Sequence, residues 1–298
     1  MNRVIIFGRA EYKNLRSIKL ARAEYIRHNE TKAKGDLLFK PEVLFGEDPE
    51  EELTELHLEF KRKIHEANDK TLTNTLNALE LLLQFAIAGR IDLFIIEAGE
   101  LPRQQVLEVR NDKSTVHAFV AGLEAMEEER WADAIGPLTD AIDSFARHPW
   151  AYNARGDSHF QLDQIEEAAS DYETATKLYP DLPNPHLGLA KIAHKRGQRA
   201  ATIDNCERAM NGSIPHQPGY WICALFQTQV FLDLVEQEAY NGEAERESFL
   251  RNANKQISRY ESKLRQLGSS RSPLYPSPER LEELSSRYET IAGIEAAT

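Results

Sequence analysis

The stretch Pro149–Leu182, PWAYNARGDSHFQLDQIEEAASDYETATKLYPDL, reads as two helices joined by a polar turn and closed by a proline. Ala168 and Ala175 lie seven apart, on one face of the second helix, where larger side chains would push the pair open. Pro149 heads the first helix, a position whose N–H has no intrahelical partner. Pro180 follows Lys177-Leu178-Tyr179 and cannot extend the second helix.

The same unit recurs on both sides at a period of 34. Gly122, Gly156 and Ala190 keep that spacing, as do Ala134, Ala168 and Thr202. Ala141, Ala175 and Ala209 form a third register, Leu138, Tyr172 and Cys206 a fourth, and Pro149 and Pro183 a fifth. A period in this range is the mark of stacked supersecondary units, each unable to bury its apolar face alone.

These columns resemble the tetratricopeptide repeat (TPR) family. Tyr152, Gly156, Ala168, Tyr172, Ala175 and Pro180 stand where that family has its aromatic, Gly, Ala, aromatic, Ala and Pro. Residues 115–148 match at Gly122, Ala134, Leu138 and Ala141, with Ala146 in place of the proline. Residues 183–216 depart further, with Ala190 for Gly and Thr202 for the first Ala. The resemblance covers residues 115–216, about a third of the chain. It implies an all-α fold, a right-handed TPR-type solenoid of antiparallel helix pairs, whose concave face is lined by the first helix of each pair. On that face it places Phe119 and Leu123 from the first unit, Trp150, Asn153, Asp157 and Phe160 from the second, Leu187 and Lys191 from the third, and Trp221 from a fourth. Exposed apolar clusters of this kind mark interaction surfaces, and aromatic side chains dominate binding hot spots. The expected occupant is a partner protein's apolar or amphipathic peptide or helix; the alternative is a neighbouring segment of this chain.

One family activity is discounted. Members that grip the acidic tail of heat-shock chaperones use a clamp of Lys, Asn, Asn, Lys and Arg. The corresponding positions here are Phe119, Leu123, Ala154, Asn184 and Gly188, none of them charged.

Residues 217–298 read as a degenerate fourth repeat and capping helices. Tyr220–Leu234 is a largely buried first helix. Leu250, Ala253, Ile257, Tyr260, Leu264 and Leu267 then form a 3-4-3-4-3 seam, which Leu281, Leu284, Tyr288 and Ile291 repeat after a short Pro/Ser linker. Such paired seams either cap the end of the array or form a dimer interface.

The first 114 residues are expected to be a helical N-terminal region with a basic first segment. Ala10–His28 and Asp48–Asn68 read as helices, the latter with acids at its start and Lys61, Arg62 and Lys63 later, an order that suits the helix dipole. Leu72–Ala88 should be buried. Ile91–Glu97 is either a short helix or a strand, and as a strand its mate is Val4–Phe7.

Charge is unevenly spread. The 298 residues carry 36 Lys+Arg and 48 Asp+Glu, for a net charge of −12. Residues 1–40 hold ten of the cations and four of the acids, so this arm is +6 and the remainder −18. The basic helix has three readings: it pairs with the acidic run Glu47–Glu55 or with the acidic repeats, it docks an acidic protein or membrane surface, or it touches nucleic acid. The −18 body disfavours the last.

No phosphate loop, dinucleotide-binding glycine motif, nucleophile elbow or HExxH occurs. His57/His65 and His186/His194 are eight apart, two helical turns, too far for one metal. Cys206 and Cys223 form no CxxC pair and are expected to be buried and reduced. The expectation is a non-enzyme with no cofactor and no metal. The short apolar run Val4–Phe7 and the lack of any 18-residue apolar stretch point to a cytoplasmic protein with no transmembrane segment. Its expected work is as an adaptor, assembly factor or chaperone. The alternatives are a self-associating scaffold and a regulator acting through its basic first helix.

Overall fold

The 34-residue period is written into the backbone as well as the side chains. Helices α4 (Ser114–Glu127), α6 (Pro149–Gln161) and α8 (Pro183–Lys195) are the first members of their repeats. Each ends at a residue with left-handed φ: Glu129 at 57°, Asp163 at 58° and Gly197 at 69°. The next N–H then reaches back five residues, Arg130 to Ala125 O, Gln164 to His159 O and Gln198 to Ala193 O, at 2.8–2.9 Å. This is the Schellman closure, which satisfies carbonyls that a helix end leaves orphaned. Helix α10 (Pro218–Glu236) ends the same way, with Glu238 at 53° and Ala239 N–H on Leu234 O.

The computed structural model describes residues 2–46, 55–96, 103–111, 113–215, 217–268 and 274–293. They cluster into two compact units, Met1–Ser158 and His159–Thr298.

In the first unit, α4 pairs with α5 (Trp131–Ser144). A Cβ at Gly122 would lie 2.5 Å from Leu138, so the glycine sets how closely the two helices approach. The residues ahead of this pair depart from the all-α expectation. They contain a four-stranded antiparallel sheet in the order β2-β1-β3-β4, formed by β1 (Asn2–Glu11), β2 (His57–Ala67), β3 (Ala88–Ile96) and β4 (Arg103–Glu108). Central β1 sets Val4 opposite Ile64 on β2 and opposite Ile95 on β3. The strand alternative for 91–97, with Val4–Phe7 as mate, is therefore the one realised.

Expecting helices here fails for identifiable reasons. In β2, Leu58, Phe60 and Ile64 turn to the core while Glu59, Lys61 and Lys63 turn away. That two-residue period overrides the acid-to-base order that suggested a helix. Residues 47–54, most of the acidic run, lie outside the described residues. Strand β1 is apolar on both faces: Val4, Ile6 and Ala10 meet the core, and Ile5 is also buried. Periodicity is silent for such strands. The basic helix begins later than expected, as α1 (Leu15–His28), because residues through Glu11 complete β1 and Asn14 caps the helix by accepting from Ser17 N–H.

Two long helices fill one face of the sheet. Ile18, Ala21 and Tyr25 of α1 and Leu72, Leu79, Leu82 and Leu83 of α3 (Asp69–Phe85) pack with Val4, Ile6, Ile91 and Leu93. A five-residue π turn, Asn29–Ala33, and the short α2 (Pro41–Phe45) close the α1 end. On the opposite face, Phe7 stacks on Phe94, and Glu59, Arg9, Arg90 and Glu108 form one row across all four strands. Arg9 pairs with Glu11 and Glu59, and Arg90 with Asp92 and Glu108. Carboxylates thus separate the two facing arginines from mutual repulsion.

In the second unit, α7 (Ile165–Leu178) packs on α8 through Tyr172, whose ring leaves no room for a side chain at Gly188. α8 pairs with α9 (Arg199–Asn211), α10 with α11 (Glu243–Leu267), and α12 (Pro278–Ala292) packs on both α10 and α11. The two C-terminal seams close on each other and on α10. Leu284 is fully buried and Leu281 nearly so, among Trp221, Phe231, Ile257 and Tyr260. Cys206 and Cys223 are free and buried, and burial pushes both thiols up to about 12.

Candidate protein-interaction faces

On α4, Phe119 and Leu123 are half-buried over a small cluster of Ala125, Ala134, Leu138 and Ala154. The Phe119 ring lies 4.5 Å from the His148 imidazole. His148 caps α6, its Nδ1 accepting the Ala151 N–H at 3.0 Å, and burial pulls its pKa down to about 3. It is therefore a neutral acceptor there. Trp150 is half-buried against Ile87, Ala88 and Phe145, so much of the indole is spent on packing at the start of β3. Asn153 is buried and donates from Nδ2 to Asp157 Oδ2 at 3.0 Å, and its Oδ1 is buried with no hydrogen-bond partner. Of the sequence-selected side chains in this unit, Phe119, Leu123, Trp150 and Asp157 keep part of their surface open, and Asn153 does not.

In the second unit Phe160 packs with Ile165, Leu189 and Ala168, and Lys195 Nζ sits 5.1 Å from its ring centroid. Leu187 and Lys191 are half-exposed on α8. Among the described residues Lys191 makes no ion pair. It lies near Cys223 of α10, where its charge opposes the upward push of burial on the thiol.

Trp221 is a correction. It is 3% exposed, donates from Nε1 to Pro215 O at 3.0 Å, and packs against the Tyr260 ring at a tilt of 36°, with Arg259 over its own ring. Its neighbour Ile222 is the exposed residue, at 39%. The open stripe of α10 therefore runs Ile222, Phe226, Gln229, Asp233, Glu236. This 4-3-4-3 spacing was readable in the sequence as the sole polar-tipped line on an otherwise apolar helix.

The stripe changes character along its length. At its N-terminal end Ile222 is exposed, and Phe226 meets α8, its ring 5.8 Å from His194. At its C-terminal end α12 covers it. Arg280 donates to Gln229, and Arg287 donates to Asp233 at 2.7 Å and to both Glu236 oxygens at 2.7 and 3.1 Å. Glu236 first and Asp233 second raise the Arg287 pKa and keep the guanidinium charged. His194 Nε2 lies 3.4 Å from Asp233. The chain's own last helix thus occupies the acidic half, while Leu187, Lys191, Ile222 and Phe226 leave the apolar half open.

Arg27 pairs with Glu24, whereas Lys13, Arg16 and Lys19 are exposed and make no ion pair among the described residues. No group of three His, Cys, Asp or Glu among the described residues could hold a metal ion. No helix of the described residues is long and apolar enough to cross a membrane.

Paired helices of 13–14 residues, closed by one turn at a 34-residue interval, define a helical-repeat protein. Residues 156–197 match the family model described as TPR repeat, and the chain carries tetratricopeptide repeats. No curated protein matches the sequence. Among solved structures, MamA is similar at 16% identity over 51% of this chain and 81% of its own, with a TM-score of 0.43. The Sgt2 TPR domain from Aspergillus fumigatus is similar at 16% identity over 55% of this chain and 89% of its own, with a TM-score of 0.32. YrrB, titled a TPR protein with an unusual peptide-binding site, gives 13% identity over 62% and 90%, with a TM-score of 0.34.

Proposed function

We propose that this protein is a non-catalytic, cytoplasmic interaction adaptor, assembly factor or chaperone that holds a segment of a partner protein on the inner faces of its TPR helices. The reading is carried by the open surface of Leu187 and Lys191 on α8 and of Ile222 and Phe226 on α10, where Lys191 makes no ion pair among the described residues. Burying such a patch gains about 25 cal/mol per Å² of apolar surface, and Lys191 orients whatever is bound by donating to a carboxylate or carbonyl oxygen. The favoured occupant is an apolar or amphipathic peptide or helix with an acidic residue beside its apolar anchor. Phe119, Leu123 and Asp157 offer a second set of contacts on α4 and α6.

Peptide display against the immobilised full-length chain tests this. Selected sequences should combine a large apolar residue with Asp or Glu. Their binding should fall at least tenfold in Lys191→Glu and in Ile222→Asp, with far-ultraviolet circular dichroism unchanged. Peptides indifferent to both substitutions would refute the assignment.

A further inference from the structure

The sheet of the first unit has two edges, and the sequence treats them differently. Edge strand β2 carries exposed Lys61, Arg62 and Lys63 in succession, the kind of charge that discourages another strand from adding on. Edge strand β4 carries charge only at its ends, Arg103 and Glu108, with Gln104-Gln105-Val106-Leu107 between them. It pairs with β3 on one side, from Arg90↔Glu108 to Ile95↔Arg103. On its other side the backbone groups of 104–108 make no hydrogen bond among the described residues. Arg103, Gln104, Gln105 and Glu108 are exposed, so the edge is accessible along its length.

We propose that β4 is a dimerisation strand, pairing antiparallel with β4 of a second copy about a two-fold axis through Val106. The sequence is self-complementary in that register. Val106 faces Val106 of the other copy, and Gln104 faces Glu108: one N–H of the Gln104 amide is held by Asp92 Oδ1 at 2.8 Å and Glu108 Oε1 accepts from Arg90 at 2.9 Å, which leaves the second amide N–H to donate to Glu108 Oε2. Gln105 faces Leu107. No like charges stand directly opposite, a requirement of stable cross-strand pairs. The result is a continuous eight-stranded antiparallel sheet and an isologous interface, in which each copy supplies the same surface. Its recognition element is backbone N–H and C=O, so the fitting partner is an extended strand, and self-complementarity selects the chain itself. Its residues are not those of the proposed partner patch, so dimerisation and partner binding are independently testable.

Cross-linking of the full-length chain reads the register directly. Opposed Cα atoms in antiparallel strands lie about 4.5–5.5 Å apart, within disulfide reach. The native Cys206 and Cys223 are buried and do not compete. Val106→Cys should form a covalent dimer under mild oxidation, while Lys61→Cys on the opposite edge should not. In sedimentation velocity, Val106→Lys should weaken association at least tenfold by setting two ammonium groups face to face. Gln104→Lys, which faces Glu108, should leave association intact. Gln105→Lys, at an exposed position, keeps the test valid if Val106→Lys misfolds, and should weaken association through crowding beside Leu107. A wild-type chain that stays monomeric across the accessible concentration range would overturn the proposal. So would a dimer indifferent to Val106→Lys and Gln105→Lys, or cross-linking no faster at Val106→Cys than at Lys61→Cys.

Discussion

Arg287 Nη2 donates to Asp233 Oδ1 at 2.7 Å, pinning the last helix to the acidic end of the α10 stripe. The same guanidinium reaches Glu236, and three residues earlier on the same helix, within one turn, Leu284 is fully buried. Charge sets where α12 lies along α10, and apolar burial holds it there.

These two contributions can be separated by substitution. Arg287 is a quarter exposed, so Arg287→Ala should cost only about 1 kcal/mol, at the upper end for surface ion pairs. Leu284→Ala removes a fully buried side chain and should cost about 2–5 kcal/mol. Chemical denaturation of both variants checks the order. An Arg287→Ala loss exceeding that of Leu284→Ala would mean that the ion pairs dominate the docking.

Stability should depend on pH through His148. Its folded-state pKa is lowered from 6.5 to about 3 by burial, so the unfolded chain binds this proton first as pH falls. Its contribution is complete above the unfolded value and is lost between about pH 6.5 and 3, at up to about 1.4 kcal/mol per pH unit for one proton. His148→Asn keeps a side-chain acceptor for the Ala151 N–H and removes the titration. Whatever its absolute stability, its denaturation midpoint should vary less with pH across that window than the wild type's.

The glycines give a prediction of opposite signs. A Cβ at Gly188 would lie 2.4 Å from the Tyr172 ring, and one at Gly122 would lie 2.5 Å from Leu138. Gly188→Ala and Gly122→Ala should each cost about 1–3 kcal/mol by overpacking. Gly219 in α10 meets nothing within 4 Å and has no positive φ, so Gly219→Ala should gain about 0.4–1 kcal/mol. Thermal melts of the three variants decide the matter.

The left-handed turns supply a further pair. Glu129 occupies with a side chain the same turn position at which Gly197 stands one repeat pair later. Glu129→Gly should raise stability by several tenths to about 1 kcal/mol, and Gly197→Ala should lower it by about 1 kcal/mol.

Legibility in the sequence followed the kind of order involved. The repeats were readable because a local pattern recurs: Ala134, Ala168 and Thr202 are fixed by helix packing a few residues away, and the same period sets the turns at Glu129, Asp163 and Gly197. The sheet was not, because β1 finds its partners 50 to 90 residues further on and presents apolar residues on both faces. The candidate faces were legible only in part. Leu187 and Lys191 fall where the period puts them. On α10 the sequence set Trp221, Ile222 and Leu225 alike on the face, whereas Trp221 and Leu225 are buried and Ile222 is exposed. Asp233 drew no attention as a site residue because its partners, Arg287 and His194, lie 54 and 39 positions away.

The central claim is that the TPR helices hold a partner protein, and the most direct measurement is quantitative affinity purification of tagged full-length chain from its native cell. It should run beside the Lys191→Glu/Ile222→Asp double variant, with circular dichroism establishing that the variant folds. The account predicts a stoichiometric partner retained by the wild type and lost from the folded double variant. A partner recovered equally with both forms would contradict it, placing the contact away from the α8 and α10 faces.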